Sequence, residues 1–424
     1  METSKKKRIV ILAHYYFPDA ASTGQLLQEQ AEGMLKEFDV TVICVVPSYT
    51  GKIEDKYKTK KYYYENINGV SVIRVRVPEF SKNVKSSRIK NIISYFWGVI
   101  GALGKVGKQD YVFTISQPPI LGGVLGVLAK WNKKAKLIYC IQDFNPEQIK
   151  AVNYISNKFI VNVIPKIDKF SCKKSDLVIT VGRDLVDTLV KRFNGRNVPN
   201  HIMINNWIDE HAIYPLSMDD TNVKGFKQKH GLENKYIIMY SGNIGLYYDL
   251  ENILKVIDDI GNNQVTPSGK EVAFVFVGDG SVKKQMVTYA HEHAMTNVYF
   301  VPYQDKEDLI YSLNAADVHW CVNAKGIKGV SCPSKYYGIA ACAKPVLAVL
   351  ESGSEIRRII EDNNCGLVCD PEDYAQIREN ILWFIANENN DEIRQMSNRG
   401  YVFLKANLTK EISIRKYIEA IKTL

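Results

Sequence analysis

An α/β fold of two doubly wound parallel-sheet domains facing across a cleft is the class this sequence predicts, and three observations carry it. Short apolar runs of strand length alternate with helix-length segments along the chain. They form two series, separated by a polar, irregular stretch at about residues 213–235. Turns rich in Gly, Ser and Pro follow the strands, where open parallel sheets bind their ligands. A length of 424 residues suits two domains of roughly 200 each. With 46% hydrophobic and 24% charged residues, each half has the means to bury a core. The expected division is 1–212, a linker at 213–235, a second domain at 236–408 and a closing helix at 409–424.

In the first series, Arg8–Ala13 reads as a strand, HYYFPDAASTG as a loop, Gln25–Glu37 as a helix and Asp39–Val46 as a second buried strand. Gly24 ends that first loop. There it would let backbone approach an anion, or Ser22 and Thr23 would simply cap the helix. Lys52–Tyr64 is basic and aromatic without helical periodicity, and reads as a mobile loop before the strand Val70–Val77. Ile92–Gly104 is an apolar helix with lysines at its ends, either buried or pressed on lipid. Asp110–Ser116 is a strand ending in Gln117-Pro118-Pro119, and the helix Ile120–Lys130 follows. Strand Lys136–Gln142 delivers Asp143 at its C-terminal end, the usual place for an active-site carboxylate, although Asp143 would also serve as a helix cap there. Strands at Ser175–Val181 and Asn200–Ile208 complete this half.

The second series opens with strand Tyr236–Tyr240 and the glycine loop Ser241-Gly242-Asn243-Ile244-Gly245-Leu246-Tyr247, ahead of a helix at Asp249–Ile260. Such a loop suits a diphosphate, and a tight strand–helix turn needs glycine in any case. Glu271–Val277 ends in Gly278-Asp279-Gly280, Asn297–Val301 in Pro302-Tyr303, and Asp317–Val322 leads into Ser331–Pro371. That last stretch puts two helix N-termini, one after Pro333 and one after Gly353, in a crevice suited to phosphorylated ligands.

Charge is divided unevenly. Residues 1–200 hold 32 Lys+Arg against 17 Asp+Glu, leaving 23 against 29 for the rest, so the overall +9 hides a basic first half. A basic surface suits a polyanionic substrate or an anionic membrane. No finger, RNP-like or helix-turn-helix pattern accompanies the lysines, so nucleic acid is not the expected partner. The eight cysteines, without a CxxC, read as buried thiols of a reducing compartment. Lys5-Lys6-Lys7-Arg8 before IVILA reads as the lead-in to a strand and not as a signal peptide. No apolar run approaches the ~20 residues of a membrane span.

Taken in order, HYYFPDAASTGQ, TISQPPILGG, YCIQDFNPE, SDLVITVGRDL, NNWID, MYSGNIG, VFVGDG, AADV, PSKYYGIAACAKPV and CGLVCDPED resemble the family 4 glycosyltransferases, which are retaining, metal-independent sugar-nucleotide enzymes of GT-B fold. The subgroup resembled is that of bacterial surface-polysaccharide synthesis, including fucosamine transferases of O-antigen assembly. The resemblance implies a nucleotide-sugar, UDP-linked by expectation, held by the second domain without a metal or other cofactor. It implies a lipid-diphosphate-linked or glycan acceptor held by the first domain, at the cytoplasmic face of the inner membrane. Gly242, Asn243 and Gly245 would line the diphosphate, with Lys335 as its cation, aided by Lys328 and Ser334. Glu355 would lie at the sugar or ribose end, Asp279 and Tyr303 around the base, Gly24 between diphosphate and acceptor, and Asp143 near the anomeric carbon. The closing helix Lys410–Thr423 would cross back onto the first domain.

The sequence departs from the family pattern in two places. The glycine loop is followed by Leu246-Tyr247-Tyr248-Asp249 instead of a cation, and the usual glutamate pair falls on Val330 and Gly338. Replacement by Lys325, Lys328, Lys335 and Glu355 is one expectation. A catalytically silent sugar-nucleotide-binding or assembly subunit is the other. A dinucleotide-dependent dehydrogenase is a third and poor option, because GxGxxG is absent after the first strand.

Overall fold

The computed structural model describes residues 6–19, 22–81, 84–145, 147–148 and 158–424. In chain order the elements are β1 (Lys7–Leu12), α1 (Ser22–Met34), β2 (Phe38–Val45), β3 (Tyr62–Ile67), β4 (Val70–Val75), α2 (Lys85–Leu103), β5 (Tyr111–Ile115), α3 (Leu121–Lys133), β6 (Lys136–Ile141), α4 (Lys158–Lys174), β7 (Leu177–Thr180), α5 (Arg183–Arg192) and β8 (His201–Met203). There follow α6 (Thr221–Lys229), β9 (Tyr236–Ser241), α7 (Leu250–Ile260), β10 (Val272–Val277), α8 (Lys283–Glu292), β11 (Val298–Val301), α9 (Leu309–Asn314), β12 (Val318–Val322), α10 (Lys335–Ala341), β13 (Val346–Val349), α11 (Glu355–Asn363), β14 (Gly366–Cys369), α12 (Tyr374–Ala386), α13 (Asp391–Asn407) and α14 (Lys410–Lys422). They divide into two compact units. Unit 1 runs to Val181 and takes in Leu185–Ile204 and Ile414–Leu424, while unit 2 comprises Gly182–Asp184 and Asn205–Ser413.

Unit 1 holds an eight-stranded sheet of order β3-β4-β2-β1-β5-β6-β7-β8, parallel except for β3. Unit 2 holds six parallel strands in the order β11-β10-β9-β12-β13-β14. Strands covered on both faces read as continuous apolar runs, as in β10, VAFVFV, buried at every position. The strand order reverses beside β1 in unit 1 and beside β9 in unit 2, with Ile9 facing Val40 and Tyr111, and Ile238 facing Phe274 and Val318. At such a switch point the flanking connections leave on opposite sides and open a crevice at the strands' carboxyl ends.

Three local expectations are corrected. The stretch Lys52–Tyr64 is not all loop: Tyr62–Ile67 pairs antiparallel with β4, through a turn in which Asn68 and Gly69 have φ of 50° and 91°. That is Asn-Gly hairpin chemistry, since both positions need positive φ. The first helix begins at Ser22, so Gly24 lies inside α1 and not in the loop before it. Residues 213–235 contain α6, whose Val223 and Phe226 are buried with Leu232 in the unit 2 core. Among the described residues, no helix is long and apolar enough to cross a membrane.

Candidate active site

The crevice of unit 2 is framed by the loops after β9 and β10. Gly278 has φ +140°, and a Cβ there would fall 1.9 Å from the Gly242 carbonyl oxygen; a Cβ on Gly280 would fall 2.1 Å from that of Ile244. The glycines of Val277-Gly278-Asp279-Gly280 therefore answer to one loop packed on the other. This packing also uses donors. The Gly242 N–H donates to Val277 O (2.9 Å) and the Ile244 N–H to Asp279 O (2.8 Å). At those two positions the loop's N–H groups are already engaged within the protein. The loop offers close approach, and the positive charge comes from elsewhere.

Lys335, the first residue of α10, supplies it. A Cβ on Gly242 would lie 2.9 Å from Lys335 Cε, so the aliphatic stem runs directly beneath the glycine loop. Its ammonium stands 3.7 Å from the Tyr248 ring centroid and 5.1 Å from that of Tyr240. Among the described residues no carboxylate pairs with it; aromatic faces are what stabilise the charge. Loss of water lowers its pKa from 10.5 to about 8. The nearby Cys321 thiol is pushed up to about 12 by burial and remains neutral. Tyr240 donates its hydroxyl to Asn243 O (2.6 Å) and so ties the cation's box to the glycine loop. Asn243 in turn folds over Gly245, its Nδ2 2.9 Å from where a Cβ of Gly245 would be.

The other expected donor residues have the following surroundings. Asp279 is exposed and its Oδ1 accepts from the Gly280 N–H (2.8 Å). Tyr303 is exposed, as is Ser334, which makes no cap bond to α10. Lys328 donates from Nζ to Ser352 O (2.6 Å) beside Gly353, whereas Lys325 is paired with Glu372 (2.7 Å). Glu355 is only 3% exposed and already engaged: Oε2 accepts from the Arg183 N–H (2.9 Å) and Nε (2.7 Å), and Oε1 from Asn205 Nδ2 (3.1 Å). The sequence reading missed Arg183 and Asn205 because these partners lie 172 and 150 residues from Glu355. Val330 is buried, and a Cβ at Gly338 would meet Leu313 Cδ1 at 3.3 Å. A glutamate at either position would point its carboxylate into apolar packing.

In unit 1, Asp143 stands just past the carboxyl end of β6. Ser116 Oγ accepts from the N–H groups of Gln142 and Asp143 (3.2 Å each), and Ser116 O accepts from Asn145 Nδ2 (2.7 Å). Pro146, expected to start the next helix, lies outside the described residues. Beyond β1, His14 packs 4.2 Å from the Tyr15 ring and 4.9 Å from the Tyr95 ring. Its Nε2 is buried without a partner among the described residues, and burial lowers its pKa to about 4, so the imidazole is neutral. His14 was not singled out in the sequence, where it was one letter of a loop. A Cβ on Gly24 would approach Tyr15 C and O at 3.3 Å, which gives that glycine a packing reason.

Residues 223–403 match the family described as Glycosyl transferases group 1. Over nearly its whole length the chain is similar to WbjE of Pseudomonas aeruginosa, named as a glycosyltransferase (24% identity; 98% of each chain). It is likewise similar to WcaI of Escherichia coli (strain K12), named for colanic acid biosynthesis (23% identity; 98% of this chain and 100% of that one). Among solved structures, sucrose-phosphate synthase of Thermosynechococcus elongatus superposes with a TM-score of 0.76 (13% identity; 99% of each chain). Anabaena Alr3699/HepE, solved with UDP and glucose, gives 0.69 (13% identity; 99% of this chain and 100% of that one). The structural likeness shows the fold, that of the GT-B glycosyltransferases with two parallel-sheet domains. The family match and the named relatives agree on a glycosyltransferase.

Proposed function

We propose that this protein transfers a sugar, N-acetylated or deoxy, from a UDP-linked donor held by unit 2 to a lipid-diphosphate-linked or glycan acceptor held by unit 1, with retention of configuration, in bacterial surface-polysaccharide synthesis. The observation that carries the reading is the Lys335 ammonium beneath the glycine loop, which no carboxylate among the described residues pairs. An anionic diphosphate is the ligand that such a group lacks. HepE was solved with UDP and glucose, and WcaI is named for a polysaccharide, which supports the donor and the pathway class. The basic charge of residues 1–200 supports work at an anionic membrane surface, where a lipid-linked acceptor would be met; the cytoplasmic side is part of the proposal.

In this reaction the bond from the anomeric carbon to the β-phosphate oxygen breaks, and its electron pair leaves with UDP. Lys335 meets the developing charge. The acceptor hydroxyl bonds to the anomeric carbon on the face that UDP leaves and passes its proton to the departing β-phosphate oxygen. Asp143 is the carboxylate assigned to favour the positive charge that builds on that carbon. No enzyme nucleophile is assigned, and the leaving charge is met without a metal, so transfer is expected to persist in EDTA.

A thermal-shift panel of UDP-, GDP- and dTDP-sugars tests the donor, and only the UDP-linked series is expected to raise the melting temperature. Asp143→Asn should then lower transfer about 100-fold with the UDP shift intact; full transfer by that variant would remove Asp143 from the reaction. The second reading, a silent sugar-nucleotide-binding subunit, is favoured by Val330 and Gly338 standing where the glutamate pair is expected. UDP binding with no turnover or slow hydrolysis of any UDP-sugar would select it.

A further inference from the structure

We infer that the outward face of α2 is a docking surface for an anionic lipid bilayer. The inward face of α2 packs Tyr95, Val99, Ala102 and Leu103 into the unit 1 core. The opposite face of such a helix is ordinarily polar. Here it presents Ile89 (55% exposed), Ile93 (49%) and Trp97 (64%), spaced i, i+4, i+8, in one apolar stripe. Trp131 of α3 and Phe170 of α4 are also exposed, with ring centroids 6.4 Å apart. Helix α3 packs against both α2 and α4, which places these rings in the same layer of helices as the stripe.

Charge selects the occupant. From Phe80 to Gln109 the sequence holds six Lys or Arg and no Asp or Glu. The acids that bracket this stretch are turned to other partners: Glu79 accepts from the Ile53 N–H and pairs with Lys58, and Asp110 accepts from the Arg8 N–H. A second copy docked through the same face would set the exposed Arg88 and Lys90 beside the stripe against their own counterparts. An anionic bilayer supplies counter-charge at its headgroups and apolar depth for the stripe. The inference rests on the proposed lipid-linked acceptor for its purpose, but not for its evidence.

The test is flotation of the full-length protein with phosphatidylcholine vesicles, with and without phosphatidylglycerol, at low and high salt. Binding is expected only with phosphatidylglycerol and is weakened by salt. The double variant Ile93→Ser/Trp97→Ser, and separately Lys90→Glu, should each reduce it by about tenfold. Both changes are at exposed positions, so the UDP-induced thermal shift should be retained and reports on folding. Wild-type protein that stays with the soluble fraction, or a double variant that floats as well as wild type, overturns the inference. So does light scattering that finds a wild-type dimer made monomeric by the double variant, which would assign the stripe to self-association. Flotation without any UDP shift would overturn the donor reading and leave the docking surface standing.

Discussion

Replacing Lys335 by methionine is expected to shrink the UDP-induced thermal shift sharply while raising the melting temperature of the free protein. The two effects share a cause. The ammonium sits over the Tyr240 and Tyr248 rings with no carboxylate paired to it among the described residues, and desolvation lowers its pKa from 10.5 to about 8. Below pH 8 the folded and unfolded chains both carry the proton, and the folded state bears the whole desolvation penalty, on the order of 3 kcal/mol. Between about pH 8 and 10.5 the unfolded chain binds more protons than the folded one, so stability rises with pH across that window. The variant should lack that rise. Ligand binding runs in the opposite direction. A diphosphate favours the charged form, so UDP affinity should fall as pH climbs through about 8, and Lys335→Arg should bind without that decline. Losing one charge-assisted contact weakens binding by about 10- to 100-fold. Calorimetry of UDP binding at pH 7 and pH 9 reads all of this, and a methionine variant that binds UDP as wild type does would sink the assignment.

What the sequence made legible, and what it hid, divides by distance along the chain. The parallel strands were readable because burial on both faces leaves continuous apolar runs such as VAFVFV. Lys335 was readable because Pro-Ser-Lys stands at the mouth of a small-residue helix. Its tyrosine box was not, since Tyr240 and Tyr248 reach it from about 90 residues earlier. The Asn68-Gly69 hairpin carried a local signal, masked by the basic, aromatic run before it. Glu355 shows the limit most clearly. A Gly-Ser-Glu turn places it at a helix start, but nothing nearby in sequence shows that Arg183 and Asn205 already occupy its carboxylate. The same holds for the N–H groups of Gly242 and Ile244, which only the loop after β10 could have shown to be engaged.

Arg192→Ala is expected to destabilise unit 1 by about 3–5 kcal/mol, a large share of the 5–15 kcal/mol typical of a domain. Arg192 and Asp168 are nearly inaccessible, and the guanidinium pairs with both Asp168 and Glu147. Asp168 also accepts from Tyr139 Oη (2.7 Å), a bond too weak to hold a buried carboxylate by itself. The guanidinium carbon lies 4.5 Å from the Phe144 ring centroid, so Arg192 grips the chain on both sides of Asn145, within four residues of Asp143. Ser116 holds the same turn from the other side. Arg192→Lys separates the two consequences of this arrangement, because it keeps the charge and loses the fork that reaches two carboxylates at once. Its urea midpoint should fall by less than that of the alanine variant, while kcat drops with the UDP-induced thermal shift retained, as the Asp143 turn loosens apart from the donor site. Unchanged urea midpoints in both variants would mean that the buried pairs add nothing to the fold. A normal kcat in a measurably destabilised Arg192→Lys would mean that the cluster stabilises unit 1 without positioning Asp143.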